Sequence, residues 1–147
     1  MLPNGERKRQ GPGARDQGPE REHIMTKGVR SYRDLVAWQK GMELVGEIYR
    51  ISRDFPKDEI FGLVSQIRRA AVSIPSNIAE GHQKLSRKEY QYFLGNARAS
   101  LAEIETQILI AKDIDYLGEI EMNQILNLSA ELGRVLNGLI NSIRKKQ

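Results

Sequence analysis

QIRRAAVSIPSNIAEGH, from Gln66 to His82, decides the fold, because it belongs to a helix that carries two seams at once. With the residues just before it, Ile60, Val64, Ile67, Ala71, Ile74 and Ile78 recur at spacings of 4, 3, 4, 3 and 4, the apolar stripe of an amphipathic helix. Beside that stripe Gln66, Ala70, Ser73, Asn77 and Glu80 repeat the pattern with small and polar groups. One apolar stripe is enough to fold a helix. A polar seam alongside it points to internal hydrogen bonding or to a second contact surface. Pro75 interrupts both: it cannot donate to the Ala71 carbonyl and is expected to kink the helix.

Outward from this segment, the chain from Ser31 onward reads as four helices and no strand. The first is expected over about Asp34 to Arg53, on a stripe of Leu35, Trp38, Met42, Val45 and Tyr49 flanked by Val36, Leu44, Ile48 and Ile51. Phe55-Pro56 ends it, because a residue before proline is pushed out of helical geometry. Asp58 and Glu59 suit the positive start of the second helix, and Gly81 is its expected C-cap. Ser86 and Glu89 have the spacing of a capping box for the third helix. That helix continues to about Ile114 on Tyr90, Leu94, Ala97, Leu101, Ile104, Ile108 and Ala111. After a turn at Tyr116-Leu117-Gly118, the fourth helix runs from Glu119 to about Arg144 on Ile125, Leu128, Leu132, Val135 and Leu139. Long amphipathic helices joined by short turns describe an all-α, antiparallel up-down-up-down four-helix bundle.

The fourth helix carries more apolar surface than one seam needs, since Met122, Leu126, Leu136, Ile140 and Ile143 widen its stripe. Contiguous exposed apolar patches mark interfaces, so a homo-oligomer is expected, the alternative being that wide stripes face two neighbours within one bundle. Gly41, Gly46, Gly62, Gly95, Gly133 and Gly138 fall inside expected helices at about 1 kcal/mol each relative to alanine when exposed. Some of them are expected to admit a close neighbour.

Composition excludes several classes. The chain has 147 residues, 39% of them apolar and 29% charged, as one soluble domain would. No apolar run approaches the roughly 20 residues of a membrane span, so no membrane partner is expected. The start of the chain lacks the apolar core of an export signal, and cysteine is absent, so a cytoplasmic location is expected. The net charge of +4 is uneven: residues 1–30 carry seven Lys/Arg against four acids, and the remaining 117 residues carry 16 against 15. Residues 1–30 read as a disordered basic tail, rich in Gly and Pro over 1–24 and poor in apolar side chains, ahead of the bundle at 31–147. A start of translation at Met25 is the alternative.

Chemistry is sparse. His82 is the one histidine outside the tail and there is no thiolate, so no metal site and no cofactor are expected. No Glu-x-x-His pair, phosphate loop or nucleophile elbow occurs. An enzyme is not expected; Glu80 and Glu103 are the acids on which a remote catalytic reading would rest. The polar seam has a counterpart on the third helix in Asn96, Ser100, Glu103 and Gln107. Asn77 and Glu80 are expected near Asn96, and Glu103 near Arg68 or Arg69. Together Gln66, Ser73, Asn77, Glu80, Asn96, Ser100 and Glu103 form either a register-fixing network or a partner site. Arg68, Arg69, Lys84, Arg87, Lys88 and Arg98 are the candidate contacts to RNA or DNA phosphates, with Tyr90 and Tyr92 near enough to stack bases, although a core role is expected for Tyr90.

Three runs carry a family resemblance: YRDLVAWQKGMELV (Tyr32–Val45), FPKDEIFGLVSQIRRAAVSIPSNIAEGH (Phe55–His82) and SLAEIETQILIA (Ser100–Ala111). They resemble the four-helix-bundle family encoded in intervening sequences of bacterial 23S rRNA genes, sometimes labelled a ribosomal protein. The resemblance covers about Ser31 to Leu117, and the fourth helix in character only. It implies a ring-like homopentamer without enzymatic activity. The family is similar to the accessory protein of diversity-generating retroelements, a pentameric bundle that binds nucleic acid and a reverse transcriptase. A self-assembling protein that binds RNA or DNA is therefore expected, with a protein-interaction scaffold as the alternative.

Overall fold

Each expected apolar stripe folds as a helix: α1 (Val36–Ser52), α2 (Leu63–His82), α3 (Arg87–Asp113) and α4 (Glu119–Lys145). Short 3-10 helices lie at Tyr32–Asp34 and Lys57–Glu59. The computed structural model describes residues 30–145, and no strand occurs among them. The tail expected over residues 1–30 and the alternative start at Met25 lie outside the described residues, Arg30 apart. At about 1.5 Å per residue, α3 and α4 are about 40 Å long. No described helix is long and apolar enough to cross a membrane.

The helices pack as a square. α1 touches α2, α2 touches α3, α3 touches α4 and α4 returns to α1, with no contact across either diagonal among the described residues. Antiparallel register shows in the pairs that meet: Ser73 with Ser100 across α2 and α3, and Glu105 with Ser129 across α3 and α4. Lys40 on α1 meets Glu131 on α4 at 2.9 Å. The core is aliphatic, with Leu44, Ile48, Ile67, Ile74, Leu94, Ile104, Ile108, Leu132 and Leu136 all fully buried. Each such side chain contributes about 1.5–3 kcal/mol of transfer free energy.

Two stripes are rotated from the expected ones. On α1 the buried face is Ala37, Gly41, Leu44, Ile48 and Ile51, while Met42 and Tyr49 are exposed. The reason is close approach: a Cβ on Gly41 would stand 3.4 Å from Ile74 and 3.5 Å from Pro75 of α2, so the small residues face the neighbour. On α4 the buried face is Ile125, Ser129, Leu132, Leu136, Ile140 and Ile143. Leu128, Val135 and Leu139 are only partly buried. Ser129 enters the core because Glu105 of α3 accepts its hydroxyl proton at 2.5 Å. The expected stripe of α3 is buried from Leu94 to Ala111, and that of α2 from Val64 to Ile78; Ile60 is exposed.

The ends of α2 differ too. Asp58 and Glu59 form the 3-10 helix and the α-helix starts at Leu63, whose N–H donates to Glu59 Oε1 at 3.0 Å. Gly81 is not the C-cap: it lies within the helix, which is capped at Gln83. A Cβ there would come within 2.9 Å of Phe93 Cβ and 3.0 Å of Tyr90 Cδ1, so Gly81 serves the approach of α2 to α3 instead. The helix runs through Pro75 without ending, with the proline ring buried against Gly41.

Candidate nucleic-acid interface

Up-down-up-down topology puts the α2–α3 turn beside the last turn of α4. Lys84, Arg87, Lys88, Arg144 and Lys145 therefore share one end of the bundle, with Glu89 and, half a turn back, Glu80 as the nearby acids on these elements. The opposite end holds Asp54, Asp58, Glu59, Asp113, Asp115, Glu119 and Glu121 against Arg53, Lys57 and Lys112. The bundle is thus basic at one end and acidic at the other, although the described body is close to neutral.

Ser86 caps α3, accepting from the Glu89 N–H at 3.0 Å, and its hydroxyl lies 3.4 Å from the Glu89 carboxylate. The box is half closed, since Glu89 meets the hydroxyl and not the Ser86 amide. Arg87 and Lys88 occupy the first turn of the same helix, next to the positive end of its dipole. The helix dipole alone disfavours cations there by about 0.3–1 kcal/mol each. Lys84 is held over the Phe93 ring, with Nζ 5.2 Å from its centroid.

The six candidate cations do not converge. Arg68 is tied to α1: its Nε donates to Ser52 Oγ at 2.8 Å, and its guanidinium stacks 4.5 Å from the Tyr49 ring centroid. Arg69 reaches Ser65 Oγ at 3.4 Å. Both lie about 23 Å from Lys84 along the axis of α2, at about 1.5 Å per residue. Arg98 donates to Asn137 Oδ1 at 3.0 Å on the α4 side. Arg144 and Lys145 join Lys84, Arg87 and Lys88 instead. In the sequence they stand out only as cations suited to the C-terminal end of their own helix, which says nothing of the neighbouring turn.

The polar seam forms a narrower network than expected. Ser73 Oγ meets Ser100 Oγ and also donates to the Ala70 carbonyl at 2.8 Å. Asn77 donates to the Ser73 carbonyl at 2.7 Å. Gln107 donates to Glu103 at 3.3 Å, and Glu103 makes no ion pair with Arg68 or Arg69. Gln66 and Glu80 are exposed, and Asn96 is half-buried without a bond to Asn77 or Glu80. The seam's centre therefore fixes α2–α3 register, while its ends face outward.

An open groove of about 560 Å³ lies on the α1–α2 side, toward the acidic end. Tyr49, Ile60, Phe61 and Val72 line it beside Arg68 and Arg69, and Phe61 is 94% exposed. Near the α3–α4 turn, Leu109 and Ile110 of α3, Ile114 just after it and Ile120 of α4 are also exposed, with Asp113, Asp115 and Glu119 close in sequence. Among the described residues no group of three or more His, Asp or Glu side chains is placed to hold a metal. Burial pushes the Tyr90 phenol up to about 12.

Residues 33–138 match the family described as 23S rRNA-intervening sequence protein. The fold is similar to the crystal structure of a protein of unknown function from the S23 ribosomal protein family of Bacteroides thetaiotaomicron. The two chains are 25% identical, with a TM-score of 0.67, over 72% of this chain and 96% of that one. Comparison with curated proteins finds no match.

Proposed function

The chain belongs to the 23S rRNA-intervening sequence protein family, and from that premise we propose that it is a non-enzymatic, self-assembling bundle that binds nucleic acid at its basic end. The observation that carries this reading is the cluster of Lys84, Arg87, Lys88, Arg144 and Lys145, two of them set against a helix dipole. A phosphate at the start of α3 reverses that penalty and releases condensed counterions. Arg68 is removed from the expected contact set by its bonds to α1, and Arg98 serves α4.

Self-assembly rests on the two apolar patches. The groove has Arg68 and Arg69 at its rim, and the exposed apolar residues near the α3–α4 turn lie among Asp113, Asp115 and Glu119. A head-to-tail contact between two such surfaces closes into a ring where its rotation is one fifth of a turn, as the homopentamer that the resemblance implies would require. The setting we propose is the cytoplasm.

Titration of labelled RNA and DNA at several salt concentrations tests the binding. Exchanging Arg87 and Lys88 together for alanine is expected to weaken it and to lower the slope of log K against log salt by about two. Unchanged affinity would exclude this surface. Sedimentation tests assembly, with Phe61→Glu expected to yield protomers. A second reading rests on the groove alone: a scaffold that docks a protein, which predicts no nucleic-acid binding at physiological salt.

A further inference from the structure

We infer that the basic end takes single-stranded nucleic acid, with an unpaired base stacked on Tyr92. This rests on the nucleic-acid reading above and specifies its ligand. Two tyrosines sit near the cations, and the structure separates their duties. Tyr90 is half-buried, packed edge-on to His82 at 5.9 Å and against the core. Tyr92 is 65% exposed, and its contact is Phe93, edge-to-face at 5.4 Å and 88°. Phe93 in turn lies under Lys84. The exposed ring is thus braced by an aromatic neighbour that a cation covers, one turn from Lys88.

The surface beyond the ring is bare. Lys88, Tyr92, Gly95 and Ala99 follow at spacings of 4, 3 and 4 and so share one face of α3. A Cβ on Gly95 would meet nothing within 4 Å, and Ala99 is exposed. Glycine within a helix costs up to about 1 kcal/mol relative to alanine, and at half-buried Gly95 no close packing within the protomer requires it. What Gly95 and Ala99 leave is a flat shelf beside Tyr92 on which a planar ring can lie. Glu89, the acid in the same turn, is engaged with Ser86, and Glu80 is on the neighbouring helix.

A base inside a duplex has both faces covered by its neighbours, so a ring standing on a convex helix cannot reach them. An unpaired base offers a free face, while its flanking phosphates fall to Lys88 and the cations of the turn. Cations that track the backbone, joined to an aromatic platform, are the recognition chemistry of single strands of either sugar.

The test is anisotropy of the full chain with labelled single-stranded RNA, single-stranded DNA and the matched duplex. Single strands are expected to bind more tightly than the duplex. Tyr92→Ala is expected to weaken single-strand binding about tenfold and to leave duplex binding and the salt slope unchanged. Tyr92→Phe should retain wild-type affinity, and Gly95→Gln, which fills the shelf, should resemble the alanine variant. Equal affinity for single strand and duplex, both indifferent to Tyr92→Ala, overturns the stacking role and leaves the phosphate site standing. No binding to any probe at low salt overturns both. A change in sedimentation on Tyr92→Ala would overturn the inference by assigning the ring to assembly.

Discussion

Gly81 shows how one residue can satisfy two sequence rules and obey the less local one. A glycine at a helix end reads as a cap, and nothing in QIRRAAVSIPSNIAEGH reveals that Phe93 and Tyr90 will press on it. Gly81→Ala is expected to destabilise the bundle by about 1–3 kcal/mol through overpacking, measured by urea denaturation. The left-handed residue of the α3–α4 turn is likewise not the glycine. Asp115 has φ of 63°, and the Tyr116 and Asp115 amides donate to the Ala111 and Lys112 carbonyls at 2.8 and 3.1 Å. That is a Schellman closure with aspartate where glycine is usual. Asp115→Gly is expected to raise stability by up to about 1 kcal/mol, read as a shift of the denaturation midpoint.

Among the elements, periodicity located every helix, and side-chain size misdirected two of the stripes. The bulkiest heptad on α1 and α4 was taken as the core. The buried heptad instead includes Gly41 on one helix and Ser129 on the other, because close approach and a hydrogen bond from outside the helix selected them. A paired measurement checks this. Leu136→Ala is expected to cost about 2–5 kcal/mol, and Leu139→Ala, on the expected stripe, less than half as much. Ser86→Ala should cost about 1 kcal/mol, since Glu89 cannot replace the lost acceptor.

The start of α2 carries a pH dependence. The Leu63 amide and then the Tyr116 hydroxyl hold the Glu59 carboxyl below its usual range. A depressed carboxyl contributes stability that is present above its ordinary pKa and is lost as pH falls through its lower folded value. Thermal melts should therefore show Glu59→Gln destabilised near neutrality, with the gap to wild type closing in acid. A gap that does not depend on pH would mean the carboxylate is not the active form.

For the whole molecule, sequence gave the list of charges but not their meeting places. Arg68 and Lys84 look like members of one cluster in a linear reading, yet a helix of 20 residues keeps them apart. Lys84 and Arg144 are remote in sequence and share an end. Such pairings depend on topology, which becomes visible only once the turns are known to be short. The apolar surplus read on the fourth helix is taken up inside the protomer: Leu136, Ile140 and Ile143 are in the core and Met122 and Leu126 pack against it, while Phe61 and Ile120, both strongly exposed, are ones the stripes did not single out. The two surfaces should respond differently to ions. Raising salt is expected to abolish nucleic-acid binding while weakening the assembly, followed by sedimentation, much less, because apolar burial is not screened and only the charged rims are.

An even number of antiparallel helices also returns the chain to the side from which it set out. Tyr32 and Lys145 both stand at the end that carries the cations. An affinity handle or fluorescent protein fused to either flank of the bundle would crowd that face and mask its interactions. The far end is no free alternative at residues 116–118, where Tyr116 bonds Glu59 and Leu117 is buried, so a reporter placed there would disturb the bundle itself.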